Sequence, residues 1–304
     1  MTDRILYFLT PNENVSPFDV TLAIDAGFDH VIPITNVKTG KVTNYVQDAI
    51  FARPPKRFND TGVFIGGRDI HMATDMMEAA KDAMVGPFKV GLFTDPNGAY
   101  TTSAAVAALA EFALIELTGN GMRDTHVSVF GPGPVGICTA ILAAKQGANV
   151  SLCPLIDDDE QGYCMRFCER YNVKVEWKPA QTQKLRSDIL AETEVVISTA
   201  KAGIRILENE YFNSAENILL ALDTNAVPPS GIECIEPHSN LDKTILGSNE
   251  VASVGPFTIG NLKYKVQSGL FKRMHTSEKA SVIDFTDSYE FALTCLLENM
   301  KKAA

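Results

Sequence analysis

Short apolar runs alternate with longer amphipathic stretches along the whole chain, the pattern of an α/β protein. In the first hundred residues the runs at 4–9, 30–34, 49–52, 62–65 and 89–94 predict strands, and 69–84 predicts a helix that stops at Gly86-Pro87. The stretch at 101–117 is rich in Ala, Leu and Phe and poor in charge. It predicts a helix buried on most faces, linking two domains and ending at Thr118-Gly119-Asn120-Gly121. Beyond it, 125–130, 149–153, 173–177, 195–199 and 218–222 predict strands, with helices at 134–146 and 165–171. These strands are short, β-branched and nearly continuously apolar, as strands covered on both faces are, so a doubly wound parallel sheet is expected. The tail at 286–302 has helical periodicity and no strand partner of its own.

Composition narrows the function classes. With 304 residues and 45% hydrophobic content the chain has material for about two domains with sizeable cores. It carries 27 Lys plus Arg against 37 Asp plus Glu, a formal charge of -10, and so has no basic surplus for a phosphate backbone. Nucleic acid is not expected as a partner. No apolar run reaches the ~18 residues of a bilayer span and the first ten residues read as a strand rather than a signal, so a cytoplasmic protein without membrane contact is expected. Cys138, Cys153, Cys164, Cys168, Cys234 and Cys295 are scattered and read as reduced core residues. Cys164 and Cys168 stand one helical turn apart without further ligands nearby, and no metal is expected.

The strongest local signal is Gly131-Pro132-Gly133-Pro134-Val135-Gly136, a GxGxxG between a predicted strand and a predicted helix. In that context Gly131 makes a tight turn, Gly133 lets backbone approach a pyrophosphate, and Gly136 lets helix and strand pack closely. Pro134 suits the first helical turn, where no amide hydrogen is needed, and Val135 completes the loop. A second signal is Asp95-Pro96-Asn97-Gly98-Ala99-Tyr100-Thr101-Thr102, a polar turn that serves equally as an ordinary helix start. A third is Gly260-Asn261-Leu262-Lys263-Tyr264-Lys265-Val266-Gln267, whose lysines face opposite ways if the segment is extended and which a solvated face explains equally well. Ser16-Pro17-Phe18-Asp19, Gly66-Gly67-Arg68-Asp69 and Asp223-Thr224-Asn225-Ala226 also follow predicted strands. Their recurrence at one end of the strands points to a shared cleft.

Taken together, Ser16 to Val20, Phe64-Ile65-Gly66-Gly67, Gly86-Pro87-Phe88, Asp95 to Thr102, the glycine loop, Asp223 to Ala226 and Gly260 to Lys265 resemble the bacterial methylenetetrahydromethanopterin and methylenetetrahydrofolate dehydrogenases of one-carbon metabolism. The resemblance covers nearly the whole chain. It implies a pterin substrate domain at 1–103 plus 268–304, a Rossmann-like dinucleotide-binding domain at 104–267, a pterin cleft at their junction, and a homo-oligomer. It places the pterin near Phe18, Thr102 and Lys263, with Asp19, Asn97, Gly98 and Gln267 as further substrate-binding positions. The cofactor, NAD or NADP, falls to Gly131, Gly133, Pro134, Val135 and Gly136, with Leu155, Thr199, Ala200, Asp223 and Asn225 around it. Relatives often carry a histidine four residues after the cleft lysine. This chain has Gln267, so no proton transfer is assigned there.

The implied reaction moves a hydride from the one-carbon bridge of a methylene-tetrahydropterin, methanopterin-like or folate, to NAD(P)+, leaving the methenyl form. No general base is needed, so catalysis reduces to positioning two rings and excluding water. Phe18 offers a stacking surface and Thr102 a hydrogen bond, while Lys263 orients polar pterin groups. NADP-specific relatives end the second strand of this domain in a Gly-Arg-Lys-like run. Here the segment reads Cys153-Pro154-Leu155-Ile156 followed by Asp157-Asp158-Asp159-Glu160, which predicts a preference for NAD. Two other readings stay open. A shikimate-type dehydrogenase would place its lysine in the first domain, at Lys38, Lys41, Lys56, Lys81 or Lys89, and a non-enzymatic dinucleotide sensor would keep the glycine loop alone.

Overall fold

Two sheets of mainly parallel strands carry the chain in the computed structural model, which describes residues 3–156 and 160–303, with side chains through residue 298. β1 (Ile5–Leu9), α1 (Pro17–Asp25), β2 (His30–Ile34), α2 (Val42–Phe51), β3 (Thr61–Ile65), α3 (Ile70–Asp82) and β4 (Gly91–Thr94) lead to the long α4 (Ala99–Thr118). There follow β5 (His126–Phe130), α5 (Pro134–Lys145), β6 (Asn149–Cys153), α6 (Gln161–Arg170), β7 (Glu176–Trp177), α7 (Gln183–Ala191), β8 (Val195–Ser198) and β9 (Leu220–Asp223). The chain closes with β10 (Asn240–Leu246), β11 (Asn249–Val254), α8 (Pro256–Thr276), β12 (Val282–Ile283) and α9 (Phe285–Ala303).

The chain divides into two compact units, the first running to Thr101 and resuming over Tyr264–Phe291, the second comprising Thr102–Lys263 and the segment from Ala292 onward. Relative to the division at 103 and 268 read from sequence, Tyr264 to Gln267 fall in the first unit and the end of α9 in the second. The first unit holds an all-parallel sheet of order β12-β4-β3-β1-β2. The second holds the order β10-β11-β9-β8-β5-β6-β7, in which β10 alone runs antiparallel, against β11. In each sheet the winding reverses beside the first strand, between β1 and β3 in one and between β5 and β8 in the other. Open parallel sheets of this kind bind ligands outside the carboxyl ends of the strands at such a reversal.

Burial accounts for the elements. On one face of the first sheet Leu9, Val63, Ile65 and Leu92 meet Val42, Val46, Ala49 and Ile50 of α2 and Ala73, Met76 and Met77 of α3. On the other, Phe8, Phe64, Phe93 and Phe271 of α8 pack edge-on or tilted, with ring centroids 4.8 to 5.3 Å apart. In the second unit Phe130, Val196 and Ala221 of the central strands join Leu190, Phe212, Ile218 and Val251 in one cluster. The helix α4 is long and apolar enough to cross a membrane by composition, yet 78% of its apolar window is buried within the protein.

The structure corrects several expectations. Residues 49–52, expected as a strand, lie at the end of α2, because Val42, Val46, Ala49 and Ile50 recur at helical spacing and all four are buried. The segment around Lys263 is helical, inside α8. Its helical character is masked in sequence by Gly260 and Gly269, and a Cβ at Gly269 would come within 2.5 Å of the Phe291 ring, so close packing of α8 on α9 selects glycine there. The hairpin of β10 and β11 and the helix α7 were not anticipated, and Cys234 is exposed rather than buried.

The start of α9 carries a reciprocal cap. Asp284 accepts from the amides of Thr286 at 2.7 Å and Asp287 at 3.3 Å, while Asp287 accepts from the Asp284 amide at 3.0 Å. Burial pushes the Asp287 carboxyl up to about 6, the neighbouring Asp284 charge adding to the rise while the Asp284 amide and Arg273 oppose it. Between the ordinary 3.8 and about 6 the folded chain therefore holds a proton that the unfolded chain has released, and this group's contribution to stability falls as pH rises across that window. Denaturant titrations at a series of pH values should show this fall in the wild type and a flatter profile in Asp287→Asn. Identical profiles would remove the assignment.

Candidate active site

Each glycine of the loop after β5 meets a distinct steric demand. Gly131 sits at φ +107°, and a Cβ there would lie 2.9 Å from the backbone of both Thr199 and Ala200, so the loops leaving β5 and β8 cross backbone on backbone. A Cβ at Gly136 would overlap the Gly131 carbonyl oxygen and lie 2.7 Å from Thr199 Oγ1. At Gly133, the N-cap of α5, a Cβ would meet nothing within 4 Å. Pro134 opens the helix exposed to solvent and Val135 is half-buried behind it. A helix N-terminus and open space over the middle glycine fit the pyrophosphate of a dinucleotide. Thr199 holds the turn from the side: its hydroxyl donates to the Gly131 carbonyl at 2.8 Å and lies 3.2 Å from that of Phe130.

The neighbouring loops are braced by two buried polar side chains. Asp223, fully buried at the end of β9, accepts from the amides of Gly231 at 2.7 Å, Asn225 at 3.0 Å and Ile232 at 3.1 Å. Burial pushes its carboxyl up and these amides pull it back down. Asn225 donates to the Pro229 carbonyl at 2.8 Å, and its Oδ1 accepts from Gly203 at 3.0 Å and Val227 at 3.1 Å, tying the loop after β9 to the loop after β8. Both residues thus position loops from inside. Leu155 is half-buried and packs on the core cluster of this unit, and Asp157, Asp158 and Asp159 lie outside the described residues. Burial pushes the Cys153 thiol up to about 12 and the Cys168 thiol up to about 11, so neither provides a thiolate near neutral pH.

In the first unit a pocket of about 290 Å³ opens at the carboxyl ends of β1, β3 and β4, at the reversal between β1 and β3. It is lined by Phe8, Thr10, Ser16, Asp19, Arg68 and Asn97, among others. Asp19 is 3% exposed and accepts from Gln267 Nε2 at 2.6 Å, with the Ser16 hydroxyl accepting from the Asp19 amide at 3.3 Å to cap α1. Phe18, next to Asp19 on α1, is 46% exposed. Asn97 is exposed at φ +52° and Gly98 is buried behind it at φ +70°. The turn containing both is held by Asp95, which accepts from Thr101 Oγ1 at 2.6 Å and from the amides of Tyr100 at 2.9 Å and Thr101 at 3.2 Å.

The protein-family comparison matches residues 17–97, which include Pro17, Asp19, Gly67, Arg68 and Asn97 of this pocket, to the N-terminal domain of methylene-tetrahydromethanopterin dehydrogenase. Over 298 residues the chain is 35% identical to a protein of Methylorubrum extorquens named NAD(P)-dependent methylenetetrahydromethanopterin dehydrogenase, covering 96% of this chain and 99% of that one. The chain belongs to the methylenetetrahydromethanopterin dehydrogenase family. A second protein of that organism, named bifunctional protein MdtA, is 29% identical over 293 residues, covering 96% of this chain and 99% of that one. Among solved structures, shikimate 5-dehydrogenase of Listeria monocytogenes in complex with shikimate and NAD has the same fold at a TM-score of 0.53 and 12% identity, over 97% of this chain and 96% of that one. The fold is thus that of Rossmann-type dehydrogenases, two α/β units with a doubly wound sheet in the larger.

In this family member the positions read from sequence fall into distinct groups. Gly131, Gly133, Gly136, Thr199 and Ala200 come together in the second unit. Asp19 and Asn97 line the first unit's pocket, with Gln267 bonded to Asp19. Thr102 is half-buried in the first turn of α4, and on α8 Lys263 is half-buried where Lys265 is exposed. Sequence reasoning did not single out Asp95 as the brace of its turn, although an Asp a few residues before a long helix is a capping signal.

A valine at 133 enters open space and should leave the melting temperature within a few degrees of wild type while lowering dinucleotide affinity at least a hundredfold. Gly136→Ala strikes backbone and should cost roughly 1 to 3 kcal/mol of stability. Calorimetric titration with NADH and thermal melts of both variants check this, and undiminished affinity in the valine variant contradicts the loop's assignment.

Proposed function

We propose that this chain oxidises a methylene-tetrahydropterin to its methenyl form by hydride transfer to a nicotinamide dinucleotide, with NAD+ preferred over NADP+. The observation that carries the reading is the open space over Gly133 at the N-terminus of α5, in a chain whose family is that of a pterin dehydrogenase. The bound nicotinamide supplies the hydride acceptor. The chain supplies position: Gly131 to Gly136 hold the pyrophosphate, Thr199 and Ala200 support the loop beside it, and Asp223 and Asn225 fix the loops behind. The pterin takes the exposed ring of Phe18 as its stacking surface and hydrogen bonds from Thr102 and Asn97. Ordering two reactants in this way is worth up to about 7 to 11 kcal/mol of barrier.

Lys263 orients polar groups of the pterin. It does not stabilise the product, since a cation beside a developing cation raises the energy. Helical spacing gives it an internal control, because Lys265, two residues on, points to another side of α8. Lys263→Ala should lower kcat/KM for the pterin at least tenfold more than it lowers dinucleotide affinity, and Lys265→Ala should change neither more than twofold. Equal small effects in steady-state assays would assign both lysines to the solvated surface.

Three features support the cofactor preference. Leu155 stands where an NADP-binding strand ends in a cation, four acids follow it in sequence, and of Lys201 and Arg205, the two candidates after the neighbouring strand to replace that cation, Arg205 is paired with Glu233 at 3.3 Å and Glu208 at 3.7 Å. Loss of a charge-assisted hydrogen bond weakens binding by roughly ten- to a hundredfold. Initial rates with methylene-tetrahydromethanopterin and methylene-tetrahydrofolate against NAD+ and NADP+ test the whole reading, with NAD+ expected to give the higher kcat/KM by that factor. The name of the Methylorubrum relative favours the methanopterin carrier. A chain that reduces neither dinucleotide with either carrier refutes the activity, and a kcat/KM for NADP+ at or above that for NAD+ refutes the preference.

A further inference from the structure

The pocket of the first unit contains a cation that the reaction as proposed does not use. Arg68 follows Gly67, whose φ of +134° turns the chain out of β3, and the side chain that results is exposed on the wall of the pocket. Among the described residues its guanidinium has no hydrogen-bond or ion-pair partner. The adjacent Asp69 accepts from the Met72 amide at 2.8 Å as the N-cap of α3. Five donors in a planar fork, aimed at no protein group, at the rim of a pocket in a chain of net charge -10, form a local exception to the repulsion an anion would otherwise meet.

Burial within the pocket orders its polar groups. Phe8, Thr10 and Asp19 are at most 3% exposed and form the floor, while Asn14, Asn97 and Arg68 are exposed at the rim. Its volume of about 290 Å³ lies at the lower bound, roughly 300 Å³, of pockets that enclose a whole drug-sized ligand. A bicyclic ring placed on the floor under the pterin reading leaves the rest of the carrier to pass out over the rim. The tails of both carrier series end in acidic groups.

We propose that Arg68 is a specificity-determining residue that binds an acidic group on the tail of the tetrahydropterin carrier, most strongly as a bidentate contact to a carboxylate. This rests on the pterin reading given above. The deciding quantity is the ratio of kcat/KM for methylene-tetrahydrofolate to that for the methylene adduct of 6-(anilinomethyl)tetrahydropterin, which keeps both reacting nitrogens and lacks carboxylates. Both rates come from one enzyme preparation, so any loss of folded protein cancels in the ratio. In Arg68→Gln the ratio should fall about tenfold relative to wild type through a higher KM for the carboxylate carrier, and in Arg68→Lys, which keeps the charge without the fork, by a lesser factor. Raising the salt concentration should lower the wild-type ratio and leave that of Arg68→Gln unchanged. A ratio within twofold of wild type in Arg68→Gln overturns the proposal while the dehydrogenase reading stands. A wild-type enzyme that turns over neither compound overturns the proposal, and one that in addition leaves methylene-tetrahydromethanopterin unreacted removes the dehydrogenase reading itself.

Discussion

After β4 and after β9, the loop leaving the carboxyl edge of the sheet carries amides that the strand ladder no longer satisfies, and the protein answers each time with a buried carboxylate. Asp95 takes the amides of Tyr100 and Thr101 at the start of α4, and Asp223 takes those of Asn225, Gly231 and Ile232 after β9. A buried charge is tolerable only when so paired, and each such bond contributes about 1.5 to 3 kcal/mol. The consequence reaches past stability. These carboxylates hold the edge loops in fixed shapes, so the groups left unpaired around them keep fixed directions as well.

The two regions proposed to face ligands follow from that rigidity in opposite ways. In the second unit the protein withholds side chains: Gly131 and Gly136 give way to neighbouring backbone, and Gly133 leaves space at a helix N-terminus where the partial positive charge of α5 is presented. In the first unit it presents them: Asp19 on the pocket floor, Phe18 and Asn97 exposed, Arg68 at the rim. A pyrophosphate needs amides and proximity, whereas a ring with a polar edge and a charged tail needs shape and several distinct partners. On the proposed function, the different use of glycine in the two regions matches that difference in ligand chemistry.

Buried cysteines and buried carboxylates behave differently in this edge chemistry. Cys153 at the end of β6 is desolvated without amides directed at its sulfur, so its thiol stays neutral. Asp223 at the end of β9 is equally buried, yet three amides pull against the desolvation. The same depth therefore supports a packing role for one and a bracing role for the other.

How much of this the chain states locally depends on the range of the interaction involved. Alternating apolar runs determined the α/β class and nearly every central strand, because burial on both faces imposes a composition visible within five residues. The glycine loop was equally legible, since its steric demands fall on positions two and three apart. Residues 49–52 were not, because four apolar residues satisfy either period and only the spacing back to Val42 separates them. Lys263 looked extended because Gly260 and Gly269 break the helical pattern, and Gly269 is explained only by the Phe291 ring packed against it from another helix. The inward roles of Asp223 and Asn225, the bond from Gln267 to Asp19 across 248 positions, and the absence of a partner for Arg68 among the described residues were decided by tertiary structure alone, because a side chain's partner is set by which loops the sheet order brings to the same edge.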